Sequence, residues 1–209
     1  AYTVAGYTLY TFALGGLAAW MPVYLVTVRQ MRLVSATGTF GTLTVVGGLV
    51  GTLVGGGLAE YLKGRVRHPY LWLSGVTCLL AAPFSILAFS LTDATSMWAA
   101  VFFAELLAFA STGPVNTVLL NSVPATMRTL AFAVSMLCSH LLGDAISPAL
   151  IGLASDATGS LHKAVLLVPV TFALGGERGL AHALDGDFDV ILCDLTMPVV
   201  SGMDLHSRV

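Results

Sequence analysis

Four long stretches of this 209-residue chain, residues 1–28, 33–59, 68–92 and 106–127, contain no Asp, Glu, Lys or Arg. Each exceeds the roughly 20 residues a helix needs to cross the apolar part of a bilayer. Hydrophobic residues make up 56 % of the chain and charged ones 10 %, and the mean hydropathy of +0.88 lies far outside the range of water-soluble domains. The chain therefore reads as an all-α polytopic membrane protein. Two spans each admit one acid: the fourth, which takes in much of the stretch 106–127, covers about residues 98–121 with Glu105 inside, and the fifth about 130–155 with Asp144 inside. A sixth apolar stretch, 164–176, is too short to cross by itself.

The first span begins uncharged and is followed by further spans, which argues against a cleaved secretory signal. The chain also starts without Met, and the expectation is that it begins inside a larger protein. Basic residues in short loops favour the cytoplasm. Lys63, Arg65, Arg67 and Arg128 fall on one side and Arg29, Arg32 and Lys163 on the other. This bias places the first face, and with it the C-terminal tail, in the cytoplasm, and the protein in the cell inner membrane.

Gly47, Gly51 and Gly55 recur at intervals of four in the second span, a spacing that lets a neighbouring helix come close. That pattern fits plain helix packing as well as a sliding surface. Gly113-Pro114 in span four and Ser147-Pro148 in span five each interrupt the helical hydrogen-bond ladder beside polar residues. Asn116 and Asn121 follow the first break, and His140 and Asp144 precede the second. Interrupted helices at membrane depth often expose backbone to a polar cavity. Asp144 reads either as a partly interfacial acid bonded to a neighbour or as a proton or substrate site, and Glu105 either as a near-interface residue or as a cavity acid. His140 suits a titrating group or a neutral helix contact. Arg128 suits an orientation anchor or loop clasp. Trp20, Trp72 and Trp98 near span ends are expected interfacial anchors.

Several phrases carry a family likeness. They are the run from Gly6 to Gly16 leading to Trp20-Met21-Pro22; Gly55-Gly56-Gly57-Leu58-Ala59-Glu60 followed by Lys63, Arg65 and Arg67; Gly113-Pro114-Val115-Asn116-Thr117 through Asn121-Ser122-Val123-Pro124; and His140-Leu141-Leu142-Gly143-Asp144 with Pro148 to Gly152. Together, residues 1–175 resemble the carboxy-terminal six-helix half of a major facilitator superfamily transporter, most closely the spinster-like group. The resemblance implies a secondary transporter, not an enzyme, that moves a small amphipathic or lipid-like solute across the membrane. It implies no cofactor, with membrane lipid, a small-molecule substrate and a missing amino-terminal transporter half as partners; this fragment alone is expected to be inactive. Glu105, Asn116, Asn121, His140 and Asp144 would then be transport or cavity residues. Glu60, Arg65 and Arg128 would belong to a conformational loop.

Residues 176–209 follow different rules. Residues 177–184 read as a short amphipathic helix and 188–193 as an apolar strand that ends at Asp194. Asp194-Leu195-Thr196-Met197-Pro198 with Gly202 resembles part of a response-regulator receiver, an incomplete α/β fragment. That likeness implies Asp194 as phosphoacceptor and as a Mg²⁺ ligand, a histidine kinase as partner, and an alternative function as a membrane-tethered phosphorelay receiver. The tail lacks counterparts for the rest of such a site and is too short to bury its own core. At the junction, Thr11 to Gly16 recurs identically as Thr171 to Gly176.

Cys78, Cys138 and Cys193 have neither metal-ligand spacing nor an even count, so no disulfide framework or zinc site is expected. No basic patch suggests nucleic acid, and no glycine-rich loop suggests a nucleotide.

Overall fold

The computed structural model describes residues 2–184. Six spans of helix follow one another through the membrane. The first three are single helices: α1 (Tyr2–Thr27), α2 (Leu33–Leu62) and α3 (Pro69–Ser90). The fourth is split into α4 (Ala94–Ala110) and α5 (Thr112–Asn121). The fifth consists of α6 (Arg128–Ser139), a π turn (His140–Asp144) and α7 (Ser147–Thr158). The sixth consists of α8 (Leu161–Ala164) and α9 (Leu167–Leu184). The 26 residues of α1 rise about 39 Å, enough to cross a hydrocarbon core of about 30 Å.

Local chemistry sets the ends. The Asp93 carboxylate accepts from the Ser96 amide at 2.8 Å and caps α4. Gly159 closes α7 in the left-handed region at φ 63°, a conformation that suits glycine. Pro69 sits in the first turn of α3, where its missing N–H costs nothing.

Two of the most extensive helix contacts, α3 on α9 and α2 on α4, are glycine-lined seams. A Cβ added at Gly176 would lie 2.6 Å from the Leu79 amide nitrogen and 2.7 Å from the Gly75 carbonyl, so the two backbones nearly touch. Tyr24, Phe89, Phe172, Met21, Leu25 and Met97 fill the core. Burial is uneven. Half of the most apolar stretch of α1 and of α3 is inside the bundle, against 22 % for α2 and 17 % for the fifth span. Those two spans therefore turn most of their apolar side chains, such as Leu49, Leu53, Leu137 and Leu141, outward.

The structure corrects the receiver expectation. The described residues are helical, with no strand among them beyond an isolated bridge between Lys63 and Val66. An incomplete α/β receiver fragment, and with it a phosphorelay role and a histidine kinase partner, is not supported. Residues 177–184 do not begin a new unit: α9 runs unbroken from Leu167 to Leu184. Glu177 and Arg178 are exposed, while Gly176 packs on α3, so the helix keeps an inward small-residue face through its two charges. The sixth span accordingly reaches Ala181 and is long enough to cross. The predicted strand 188–193, Asp194 and its Mg²⁺ lie outside the described residues.

Candidate functional site

The π turn in the fifth span has a local cause. Pro148 has no N–H to offer the Asp144 carbonyl four residues back, and its ring crowds that position. The ladder widens one turn earlier, where the Ala145 amide donates to the His140 carbonyl at 2.9 Å. The Ser147 hydroxyl donates to the Asp144 carbonyl at 3.2 Å in place of the missing amide. Single π turns of this kind recur at functional sites.

Helix α1 is fitted to this turn. The Thr11 hydroxyl lies 2.9 Å from the Ser139 carbonyl and 3.0 Å from the Thr8 carbonyl, which share its proton. Gly143 packs against Thr8 and Thr11, and the Trp20 indole N–H donates to the Pro148 carbonyl at 2.9 Å. Trp20 thus ties two spans together as well as standing near a span end.

His140 Nδ1 and Asp144 Oδ2 form a close pair one turn apart, with 53 % and 35 % of their side chains exposed. They stand in the middle of the fifth span on its open face. Tyr7 of α1 lies within electrostatic range of Asp144, and its hydroxyl sits beside the Asn116 side chain. The Asn116 Oδ1 is buried without a partner. Tyr7 and Tyr10 stack at 5.7 Å, and the Tyr10 hydroxyl is 2.8 Å from Thr112 Oγ1. Asn116, His140 and Asp144 are thereby gathered along one polar strip formed by α1, α5 and the π turn. It offers an acid, an imidazole, an amide and phenols within an otherwise apolar wall, which suits a polar headgroup attached to an apolar body.

The other predicted residues are elsewhere. Glu105 is buried in the α2–α4 seam, 2 % exposed, with Oε1 2.8 Å from Thr44 Oγ1. Asn121 is exposed at the end of α5. Glu60 accepts from Tyr70 at 2.7 Å and from Lys63 at 3.0 Å, an exposed clasp between α2 and α3. That bond holds the Lys63 ammonium above its ordinary pKa. Arg65 stays local: it bonds the Tyr61 carbonyl and stacks 3.8 Å over the Tyr61 ring. Arg128 opens α6 half-buried. Among the described residues no cluster of three or more His, Cys, Asp or Glu is placed to hold a metal ion.

Tyr7, Tyr10, Thr44, Thr112 and Tyr70 were missed by sequence reasoning. A signal was present for the first two. Tyr7, Thr8, Tyr10 and Thr11 recur at helical spacing and so fall on neighbouring faces of α1.

No family model matches the chain. It is 34 % identical over 165 residues to a probable sphingolipid transporter, spinster homolog 3, of Arabidopsis thaliana, an alignment covering 79 % of this chain and 32 % of the relative. It is 30 % identical over 199 residues to a sphingosine-1-phosphate transporter of Mus musculus, covering 83 % and 36 %. The crystal structure of a bacterial homolog of the human lysosomal transporter spinster, inward-facing and unoccupied, superposes with a TM-score of 0.64 at 21 % identity, over 87 % of this chain and 45 % of that one. The chain shares its fold with about half of that bacterial protein. The chain spans about a third of the length of the curated relatives it matches.

Proposed function

We propose that this chain is the six-helix half of a secondary transporter that moves a small amphipathic, lipid-like solute across the membrane, and that it does no chemistry on that solute. The observation that carries this reading is the His140–Asp144 pair, held on a π turn in the middle of the fifth span and open on the side away from the bundle. Ionisable groups at such depth are expensive and mark solute or proton paths. The likeness to a sphingolipid transporter and to a sphingosine-1-phosphate transporter favours a solute with one polar end and one long apolar tail. In this reading the polar end meets Asp144, His140, Asn116 and Tyr7, and the tail lies along the outward apolar side chains of α2 and the fifth span. A second helical bundle covers those faces in the working transporter.

The orientation belongs to the same proposal. Lys63, Arg65, Arg67 and Arg128 share a face with the end of α9, and Arg178 now joins them because α9 continues through it. Five basic residues against Arg29, Arg32 and Lys163 favour that face as cytoplasmic, in the cell inner membrane.

The test is uptake of a radiolabelled sphingoid base into proteoliposomes carrying the full-length protein that contains this chain. Asp144→Asn is expected to lower uptake about tenfold or more, the equivalent of one lost charged contact of about 1.5–3 kcal/mol. Uptake unchanged in both Asp144→Asn and His140→Gln would remove the pair from the solute path.

A further inference from the structure

The Glu105 carboxyl poses a hydrogen-counting problem. Thr44 Oγ1 lies 2.8 Å from Glu105 Oε1 and also 3.0 Å from the Phe40 carbonyl oxygen. A hydroxyl has one proton to give and two lone pairs to receive, and a carbonyl only receives. If Glu105 were a carboxylate, two acceptors would compete for the single Thr44 proton. Its second oxygen, Oε2, is buried with no partner at all. A carboxylate sealed in that way, with no cation, would carry a desolvation cost of several kcal/mol.

One added proton resolves all of this. With the acid protonated on Oε1, a single-file chain forms: Glu105 Oε1–H donates to Thr44 Oγ1, and Thr44 Oγ1–H donates to the Phe40 carbonyl. The orphan Oε2 is then the carbonyl oxygen of a neutral acid, a far cheaper group to leave bare. The surroundings supply no alternative charge. Helices α1, α3 and α5 contain no Asp, Glu, Lys, Arg or His, and α4 contains no other one. The only charged residue of α2 is Glu60, 16 residues from Thr44 and so roughly 24 Å along the helix. Neither the Lys63–Glu60 pair nor the His140–Asp144 pair involves Glu105.

We infer that Glu105 and Thr44 form a proton-binding site closed by the α2–α4 seam, with Glu105 held as a neutral carboxylic acid while the seam is shut. The seam is tight by construction: a Cβ at Gly51 would lie 2.4 Å from the Leu106 carbonyl oxygen and one at Gly55 2.0 Å from the Ala110 carbonyl oxygen, and one turn before Gly51 the Gly47 backbone faces the Glu105 side chain. Parting α2 from α4 breaks the bond to Thr44 and admits water, which takes the proton and solvates the carboxylate left behind. Linking that release to solute movement rests on the transport reading above; the proton site itself does not.

The experiment reads the acid directly, without any solute. Infrared spectra of the whole chain in lipid at neutral pH are expected to contain the carbonyl band of a protonated carboxylic acid. Glu105→Gln, a near-isosteric change, should abolish that band while the helical circular dichroism stays the same. Thr44→Val should keep the band and shift it to higher frequency, as a hydrogen-bonded acid becomes a free one. A wild-type spectrum at neutral pH without the band, or a band unaltered by Glu105→Gln, overturns the inference. An intact band in full-length protein that moves no solute upholds the proton site and counts only against transport.

Discussion

Gly15 of α1 lies directly beneath Asp144 of the π turn: a Cβ on Gly15 would stand 2.7 Å from the Asp144 Cα and 3.0 Å from its Oδ1. The acid at the centre of the fifth span is held in place by the absence of a side chain on the first.

Gly15→Ala should therefore push the π turn off α1. Overpacking of this kind costs about 1–3 kcal/mol. The expected result is a lowered unfolding temperature in detergent, together with weakened solute uptake. Equal stability of the variant and the parent would show that the turn yields without cost.

Gly176→Val should destabilise the bundle more than Leu174→Val. Gly176 meets the backbone of α3, whereas Leu174 is exposed. Thermal unfolding of the two variants side by side checks this. Similar midpoints would mean that α9 does not depend on close approach to α3.

Tyr24→Phe removes one hydroxyl that serves two partners. Tyr24 donates to the Phe89 carbonyl at 3.0 Å, and its oxygen lies 3.1 Å from His162 Nδ1. Because the Tyr24 proton is already committed, His162 must donate from Nδ1. The Phe89 carbonyl keeps a second donor, Arg29 at 2.8 Å. The expected loss is about 1 kcal/mol, the usual net value of one hydrogen bond. In a double-mutant cycle with His162→Ala, a coupling energy near zero would rule out the Tyr24–His162 bond.

Asp93 gives the bundle an acid-sensitive helix cap. The Ser96 amide holds the exposed Asp93 carboxyl below its ordinary pKa. A carboxyl with a depressed folded value contributes stability in full above its unfolded pKa of about 3.9, and that contribution fades as pH falls through the folded value. Asp93→Ala should show a flatter stability profile than the parent below about pH 4. Parallel profiles would show that the cap contributes nothing through its charge.

The first three spans are legible because uncharged length is a direct physical requirement for crossing a bilayer, and the fourth and fifth become legible once one acid is admitted in each. The sixth is cut short in the sequence at Glu177, because a charge reads as an end. In the structure Glu177 and Arg178 simply face outward from a helix whose glycines face in. Pro114 and Pro148 marked the right neighbourhoods, yet the interruptions lie just before them, at Ser111 and at the π turn. A proline disturbs the turn that precedes it, and the sequence does not say which carbonyl will be freed. Asp144 and His140 stand out in the sequence one by one beside Pro148, and their pairing is a finding of the structure. That Glu105 would close on Thr44 was not legible either, since it depends on how far three glycines let α2 descend onto α4. The receiver-like phrase misled through local similarity: Glu177 to Leu184 suits an amphipathic surface helix and the end of a membrane helix equally well.

The two ends of the bundle are fastened differently. On the Arg29 side, α1, α3 and α8 are stitched together by the Tyr24 hydroxyl, the His162 ring and a guanidinium bonded to the Phe89 carbonyl. At the Glu60 side, an exposed carboxylate clasp links α2 and α3. Towards the Glu60 face the same bundle is closed backbone to backbone instead, since a Cβ at Gly55 would stand 2.0 Å from the Ala110 carbonyl oxygen and one at Gly75 2.6 Å from the Leu180 amide nitrogen: polar stitches bind one end and bare backbone the other.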